Sequence, residues 1–217
     1  MIIVGICGGS GKSTFAERIR DGLSCSCEIM RLDCYYFDQG GKPFEERTKV
    51  NYDSPEIFDF DEMLADIRLL LDGKPVTRKG YNYAEHRRDD SEELMYPPEV
   101  LIIEGIHVFY DDRICDIMNL KLFIKVDSDI CLLRRIARDM NERGRSLESI
   151  SEQYKATVKP MREKYIDKYI DKADVVVMRG GMNEQALKTT ISYLKSCVKE
   201  QRSAESEKNE SDGNDSE

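Results

Sequence analysis

The head of the chain, MIIVGICGGSGKST, runs strand, glycine-rich turn, lysine, hydroxyl, helix, an order that few folds accommodate. Residues 2–7 are an unbroken apolar run, the pattern of a parallel strand covered on both faces. Glycines at 8, 9 and 11 let consecutive backbone N–H groups turn toward one anion, and the positive end of the helix predicted over 13–23 adds to their pull. Lys12 is then placed to reach terminal phosphates and Ser13 to ligate magnesium. The common spacing G-x-x-x-x-G-K-[ST] wants a glycine where Ile6 stands. Counted from Gly8, the loop Gly8, Gly9, Ser10, Gly11, Lys12, Ser13, Thr14 is about two residues short and presents fewer amides. Two readings stay open at this point: a compact triphosphate site, and a site that has lost its nucleotide.

At 217 residues the chain suits one substantial domain. Strands are predicted over 28–32, 100–104, 120–126 and 174–178, and helices over 59–71, 127–142, 147–159 and 183–199. This alternation predicts an α/β fold, a parallel sheet with helices on both faces. Residues 74–99 lack helical periodicity and are read as a β-hairpin insertion. The domain is assigned to 1–200 and a disordered acidic tail to 201–217, where no apolar side chain exceeds alanine.

A net charge of −9 argues against a nucleic-acid binder, which needs an electropositive face. Residues 199–217 carry seven acids and three bases, so −4 belongs to the tail and −5 to the body. No apolar run is long enough to span a membrane, and residues 1–7 lack the features of a signal peptide, so a cytoplasmic protein is expected. Seven cysteines without a C-x-x-C pair are read as reduced, packed thiols, with no metal site among them.

Two acids and a run of arginines carry the remaining chemistry. Glu104 closes the predicted strand VLIIE, where open α/β sheets place their ligands, and a carboxylate there can hold a magnesium water. Asp33 is read as ending the second strand and is suited to accept a proton from an attacking hydroxyl. Arg134, Arg135, Arg138, Arg143 and Arg145 fall within twelve residues of an acidic chain. Guanidinium groups suit phosphate oxygens, and Gly144 breaks the helix, so the segment 138–145 is read as an arginine lid, while Arg134 also fits a solvated helix face.

The order GGSGKST, LDCYYFDQ, NYDSPEIFD, YNYAEHRR, LIIEGIHVFYD, LLRRIARDMNERGRS, QYKATVKPM, DKADVVVMRGG resembles the uridine kinase (uridine-cytidine kinase) family of P-loop kinases over residues 1–198. The resemblance implies a P-loop NTPase-type fold with a β-hairpin insertion and an arginine-rich lid. It also implies transfer of a phosphoryl group from ATP, with Mg2+, to the 5′-hydroxyl of uridine and cytidine. Asp33 is then the base, with Lys12 and Arg138 assisting catalysis, and Arg143 and Arg145 join the phosphate loop in holding ATP. The nucleoside falls to Tyr36, Asp53, Tyr81, Tyr83, His86, Arg135 and Gln153, and magnesium to Ser13, Asp33 and Glu104. A homotetramer is the assembly implied.

The residues themselves agree with these roles. Tyr81 and Tyr83 offer flat faces to a pyrimidine, His86 a hydrogen-bonding edge, and Asp53 a carboxylate for ribose hydroxyls. Two alternatives stand beside this reading: a non-catalytic nucleoside- or nucleotide-binding paralogue with a shortened loop, and a related small-molecule kinase. A GTPase is disfavoured because no N-K-x-D motif is present.

Overall fold

The structure, a computed structural model, describes the backbone of residues 1–83 and 85–214. In chain order its elements are β1 (Ile2–Gly8), α1 (Lys12–Gly22), β2 (Cys27–Arg31), α2 (Phe44–Arg47), α3 (Phe60–Leu71), β3 (Val76–Asn82), β4 (Arg87–Met95) and β5 (Val100–Glu104). There follow α4 (Asp112–Cys115), β6 (Leu120–Lys125), α5 (Ser128–Arg143), α6 (Leu147–Gln153), α7 (Lys159–Lys164), β7 (Val175–Met178) and α8 (Glu184–Asn214). Five strands make a parallel sheet in the order β2-β5-β1-β6-β7, while β3 and β4 form a separate antiparallel hairpin. The α/β class, the parallel sheet and the hairpin insertion are as the sequence predicts.

The apolar run of β1 is unbroken because both of its faces are covered. Ile3 and Cys7 enter one core with Leu101 and Ile103 of β5, Met63 and Ile67 of α3, and Val76 and Met95 at the base of the hairpin. Ile2, Val4 and Ile6 enter the other, with Phe15 and Ile19 of α1 and Leu194 of α8. Helix ends follow local chemistry. Asp59 caps α3 by accepting from the Glu62 amide at 2.9 Å, and Ser146 caps α6 through the Ser149 amide at 3.2 Å. Gly144, at φ 62°, ends α5 in the left-handed region.

Three elements differ from the sequence prediction. Asp33 does not close β2 but lies in a one-turn 3₁₀ segment, Leu32–Tyr35, beyond the strand. The helix expected over 147–159 is α6 followed by a π-helical turn, Tyr154–Val158, and then α7 begins at Lys159 with Pro160 in its first turn. The last helix, expected to end near 199 before a disordered tail, continues to Asn214. The first added turns carry good helix formers, Glu200, Gln201, Arg202, Ala204, Glu205 and Glu207. Arg202 is also tied to Glu99 by two hydrogen bonds of 2.6 and 2.8 Å. Residues 215–217 lie outside the described residues.

Gly105 follows Glu104 where β5 passes close to β2. A Cβ there would lie 2.5 Å from the Cβ of Leu32, an atom that no side-chain rotation moves. Gly105→Ala is therefore expected to destabilise the fold by about 1–3 kcal/mol, the usual cost of overpacking. Urea unfolding measures it, and an unchanged midpoint would show that the two strand ends separate freely.

Candidate active site

β1 ends at Gly8 between β5 and β6, and α1 starts at Lys12, so the link between strand and helix is only Gly9–Gly11. Two positions in it require glycine. Gly8 has φ 105° and a Cβ there would sit 2.6 Å from the Ile124 carbonyl oxygen; Gly11 has φ 97° and a Cβ there would sit 2.8 Å from the Gly181 amide nitrogen. The Gly9 amide still bonds Ile124 O at 2.8 Å, so the sheet ladder runs one residue past the strand. Lys12 folds over this turn, its Nζ donating to Gly8 O at 3.3 Å and Gly9 O at 3.2 Å. The first-turn amides of α1 have no acceptors within the helix and point toward the loop, the disposition that attracts an anion. Shortening has thus compacted the loop without removing the lysine or the helix start from it. Ser10 lies within the loop, and Thr14 is exposed on the first turn of α1.

Register places Glu104 beside Ile6 across the β1–β5 pair. Its Oε1 accepts from Ser13 Oγ at 2.9 Å, and Arg31 Nε lies 3.6 Å away. Burial raises the Glu104 carboxyl above its ordinary range, opposed by the Lys12 charge and reinforced by that of Asp33. The Ser13 hydroxyl on α1, the Glu104 carboxylate at the end of β5 and the Asp33 carboxylate just past β2 suit a cation that keeps several waters, as magnesium does. Among the described residues no group of three His, Cys, Asp or Glu side chains forms a tighter metal cage.

On the other flank Tyr83 O–H donates to Asp33 Oδ2 at 2.6 Å. The protein around the Tyr83 hydroxyl and the Asp33 charge hold its phenol above the ordinary range, so it stays a donor. Tyr81 and Tyr83 meet edge to face at 5.1 Å, and with Asp33 they line a cavity of about 220 Å³. Tyr36 does not face it. Only 6% exposed, Tyr36 stacks on Phe58 at 4.4 Å and leans on Tyr81 at 4.7 Å, so it supports the tyrosine pair from behind. His86 sits at φ 51° and stacks on Tyr52 at 5.0 Å. Burial first, then the charges of Arg145, Arg143 and Arg47, lower its pKa and favour the neutral ring.

A larger cavity, about 390 Å³, opens between the phosphate loop, the end of β6 and α5. Gly9, Ser10, Asp53, Arg135, Arg138 and Arg162 are among its walls, so the loop and Asp53 share one space. Asp53 Oδ2 accepts from Thr157 Oγ1 at 2.9 Å, and Arg135 Nη1 is 3.7 Å from Oδ1.

The arginines converge on one residue that the motif reading passed over. Asp139 is fully buried, with Arg138 at 2.9 Å, Arg143 at 3.3 Å and Arg135 and Arg145 each at 3.6 Å from its carboxylate. Gln153 Oε1 accepts from Arg135 at 3.1 Å and Arg145 at 2.5 Å. The Arg145 amide closes the turn on the Asp139 carbonyl at 3.1 Å. Four cations on one anion leave an excess of positive charge, and Arg135 and Arg138 present part of it to this cavity, whereas Arg143 and Arg145 do not line it. Arg143 also lies over the Tyr83 ring, 4.9 Å from its centroid, which joins the arginine cluster to Asp33. The spacing R-x-x-x-D-x-x-x-R over 135–143 was the available signal for Asp139; Thr157 and Arg162 carried none.

The fold and these motifs match known proteins. The model of the phosphoribulokinase/uridine kinase family matches residues 2–186. The chain belongs to this family. Proteins named uridine kinase from Ligilactobacillus salivarius and Streptococcus pyogenes are similar along nearly the whole chain. The first is 41% identical over 201 residues, covering 91% of this chain and 94% of the relative. The second is 42% identical over 202 residues, covering 92% and 97%. In fold the chain is similar to phosphoribulokinase from Rhodobacter spheroides, with a TM-score of 0.60 at 14% identity over 82% of this chain and 69% of that one. It is also similar to D-glycerate 3-kinase from Cryptococcus neoformans, with a TM-score of 0.53 at 13% identity over 84% and 87%. The family's kinase fold is thus shared with enzymes named for different acceptors, and the acceptor is decided by side chains about the cavities.

Asp139→Asn keeps the shape and removes the charge that gathers four guanidiniums. It is expected to cost about 1–3 kcal/mol, less than breaking a fully buried pair because the arginines keep part of their water. Urea unfolding and titration with a nucleoside triphosphate check this; an unaltered midpoint with unaltered affinity would remove Asp139 from that role.

Proposed function

We propose that this chain transfers the γ-phosphoryl group of ATP to the 5′-hydroxyl of uridine and cytidine, releasing ADP with UMP or CMP. The observation that carries the reading is the single cavity shared by the phosphate loop, Asp53 and the arginines of α5. The relatives named uridine kinase, at 41–42% identity over more than nine-tenths of the chain, support the choice of acceptor.

In this reading Lys12, the first-turn amides of α1, Arg143 and Arg145 hold the triphosphate, and Ser10 and Gly11 shape the loop against it. Asp53 grips the ribose hydroxyls, with Arg135 and Gln153 setting its side of the cavity. Tyr81, Tyr83 and His86 form the face toward the pyrimidine. Asp33 accepts the proton from the 5′-hydroxyl as that oxygen bonds to the γ-phosphorus and the bond to the β-phosphate oxygen breaks. Tyr83 already donates to Asp33 Oδ2, so the incoming hydroxyl takes Oδ1 or displaces the phenol. Lys12 and Arg138 neutralise charge spreading over the transferred group. Ser13, Glu104 and Asp33 would hold Mg2+, which supplies charge neutralisation between the phosphates when bound.

The kinase domain is taken as residues 1–200, and the last turns of α8 lie beyond it. No helix of the described residues is long and apolar enough to cross a membrane, and a cytoplasmic enzyme is the setting in which ATP would be available. The tetramer implied by the resemblance is read by sedimentation.

ADP release with Mg-ATP, screened over uridine, cytidine, adenosine and pantothenate, tests the function. Turnover confined to the two pyrimidine nucleosides is the expected result; uridine binding without turnover would leave a nucleoside-binding protein. Asp33→Asn is expected to lower kcat by about 10²–10⁴-fold while uridine affinity holds, the range for losing a general base. A rate within about tenfold of the parent would exclude that role. Inserting Ser-Gly before Gly11 tests the compact loop, which should already be competent: a sharp rise in rate would show that it was limiting.

A further inference from the structure

His107 lies within the stretch LIIEGIHVFYD but has none of the roles assigned above, and it is fully buried beneath the candidate site. It follows β5 by three residues, where the chain leaves the ligand-bearing edge of the sheet. Its Nε2 lies 2.8 Å from the Asp53 carbonyl oxygen and its Nδ1 lies 2.9 Å from the Tyr169 hydroxyl. The Asp53 carbonyl can only accept, so Nε2 carries the proton and Nδ1 accepts from Tyr169. Phe58, Tyr110, Tyr165 and Tyr169 surround the ring at 5.8–6.5 Å, mostly edge to face, and fix its plane. Burial lowers the imidazole pKa to about 4, against smaller opposing effects from Asp53 and Glu56, so the ring is neutral under working conditions.

We propose that His107 is a positioning residue for the nucleoside: it anchors the peptide of Asp53 so that the carboxylate meets the ribose hydroxyls in register. This role of His107 rests on the proposed role of Asp53. That residue stands in a loop between α2 and α3 and is held at three points. Thr157 and Arg135 hold its carboxylate, and Asn51 Oδ1 accepts from its amide at 3.1 Å within the same loop. Both partners of the carboxylate come from the segment around α5 to α7, which also carries the arginines. His107 alone among these partners ties the Asp53 backbone to the sheet. Tyr169, on the 3₁₀ segment Ile166–Lys172, completes the chain of hydrogen bonds and fixes which nitrogen faces Asp53.

The anchoring bond is directional, so its loss should appear in nucleoside binding before it appears in chemistry. His107→Leu is expected to raise KM for uridine about tenfold, the worth of one buried hydrogen bond, and to change KM for ATP and kcat much less. His107→Gln, whose amide also donates toward the Asp53 carbonyl, should recover most of the loss. Tyr169→Phe removes the donor to Nδ1 without touching Asp53, and should raise KM for uridine a few-fold. Calorimetric titration of uridine without ATP gives the same ordering as a dissociation constant, and circular dichroism confirms that each variant is folded. If His107→Leu fails to fold, the Gln and Phe variants carry the test.

Unchanged uridine affinity in the folded variants, or equal loss toward uridine and ATP, would overturn the proposal and leave His107 a packing residue. Absence of uridine binding by the unaltered protein would instead refute the functional reading on which it rests.

Discussion

Strand β1 is hydrogen-bonded along both edges, to β5 on one side and β6 on the other, and the candidate site hangs from that central position. Parallel pairing brings the carboxyl ends of the strands to one edge of the sheet. Gly8, Glu104 and Ile124 therefore arrive together although they are far apart in sequence. The covering of both faces of β1 makes this edge rigid, and a rigid edge lets a three-residue turn carry a lysine and a helix start to a defined place. Here the ladder runs to the Gly9 amide, and the turn is correspondingly tight.

Charge is distributed with the same economy. The chain is acidic overall, yet arginines line its larger cavity, and two of them, Arg135 and Arg138, join Arg143 and Arg145 on the buried carboxylate of Asp139. A single anion orders four cations that would otherwise repel one another, and further bonds from Arg135 to Gln153 and from Arg145 to Gln153 and Ser149 fix the cluster. The contact of Arg143 with the Tyr83 ring carries this order across to the acid on the opposite wall. The arginine cluster and the Asp33–Tyr83 pair are thus mechanically joined.

Much of the architecture was legible along the chain. The apolar runs of β1, β5 and β6, the amphipathic periods of α3 and α5, and the Gly144 stop are local patterns with local causes, and the elements fall where those patterns lie. The misplacements share one cause. Asp33 reads as a strand end because the apolar run stops there, but the chain has already turned into a 3₁₀ segment to bury Tyr35. The π-helical turn before α7 and the extension of α8 past 199 depend on what packs beside them, or on an ion pair to Glu99, and neither is written in periodicity. Tyr36 reads as a ligand contact beside Asp33, and its packing under Tyr81 and against Phe58 was not legible in the sequence.

The sequence by itself determined the chemical groups and their local frames: glycines where only glycine tolerates the backbone, a lysine and hydroxyl at a helix start, a carboxylate closing a buried strand. These rest on dihedral angles and hydrogen bonds spanning a few residues, which neighbouring side chains specify. Only the tertiary structure decided which of those groups meet. Tyr83 reaches Asp33 across fifty residues, His107 reaches Asp53 across fifty-four and Thr157 reaches it across one hundred and four. Such contacts depend on how strands order themselves in the sheet and how loops pack over its edge, and that order is set by the burial of two cores at once.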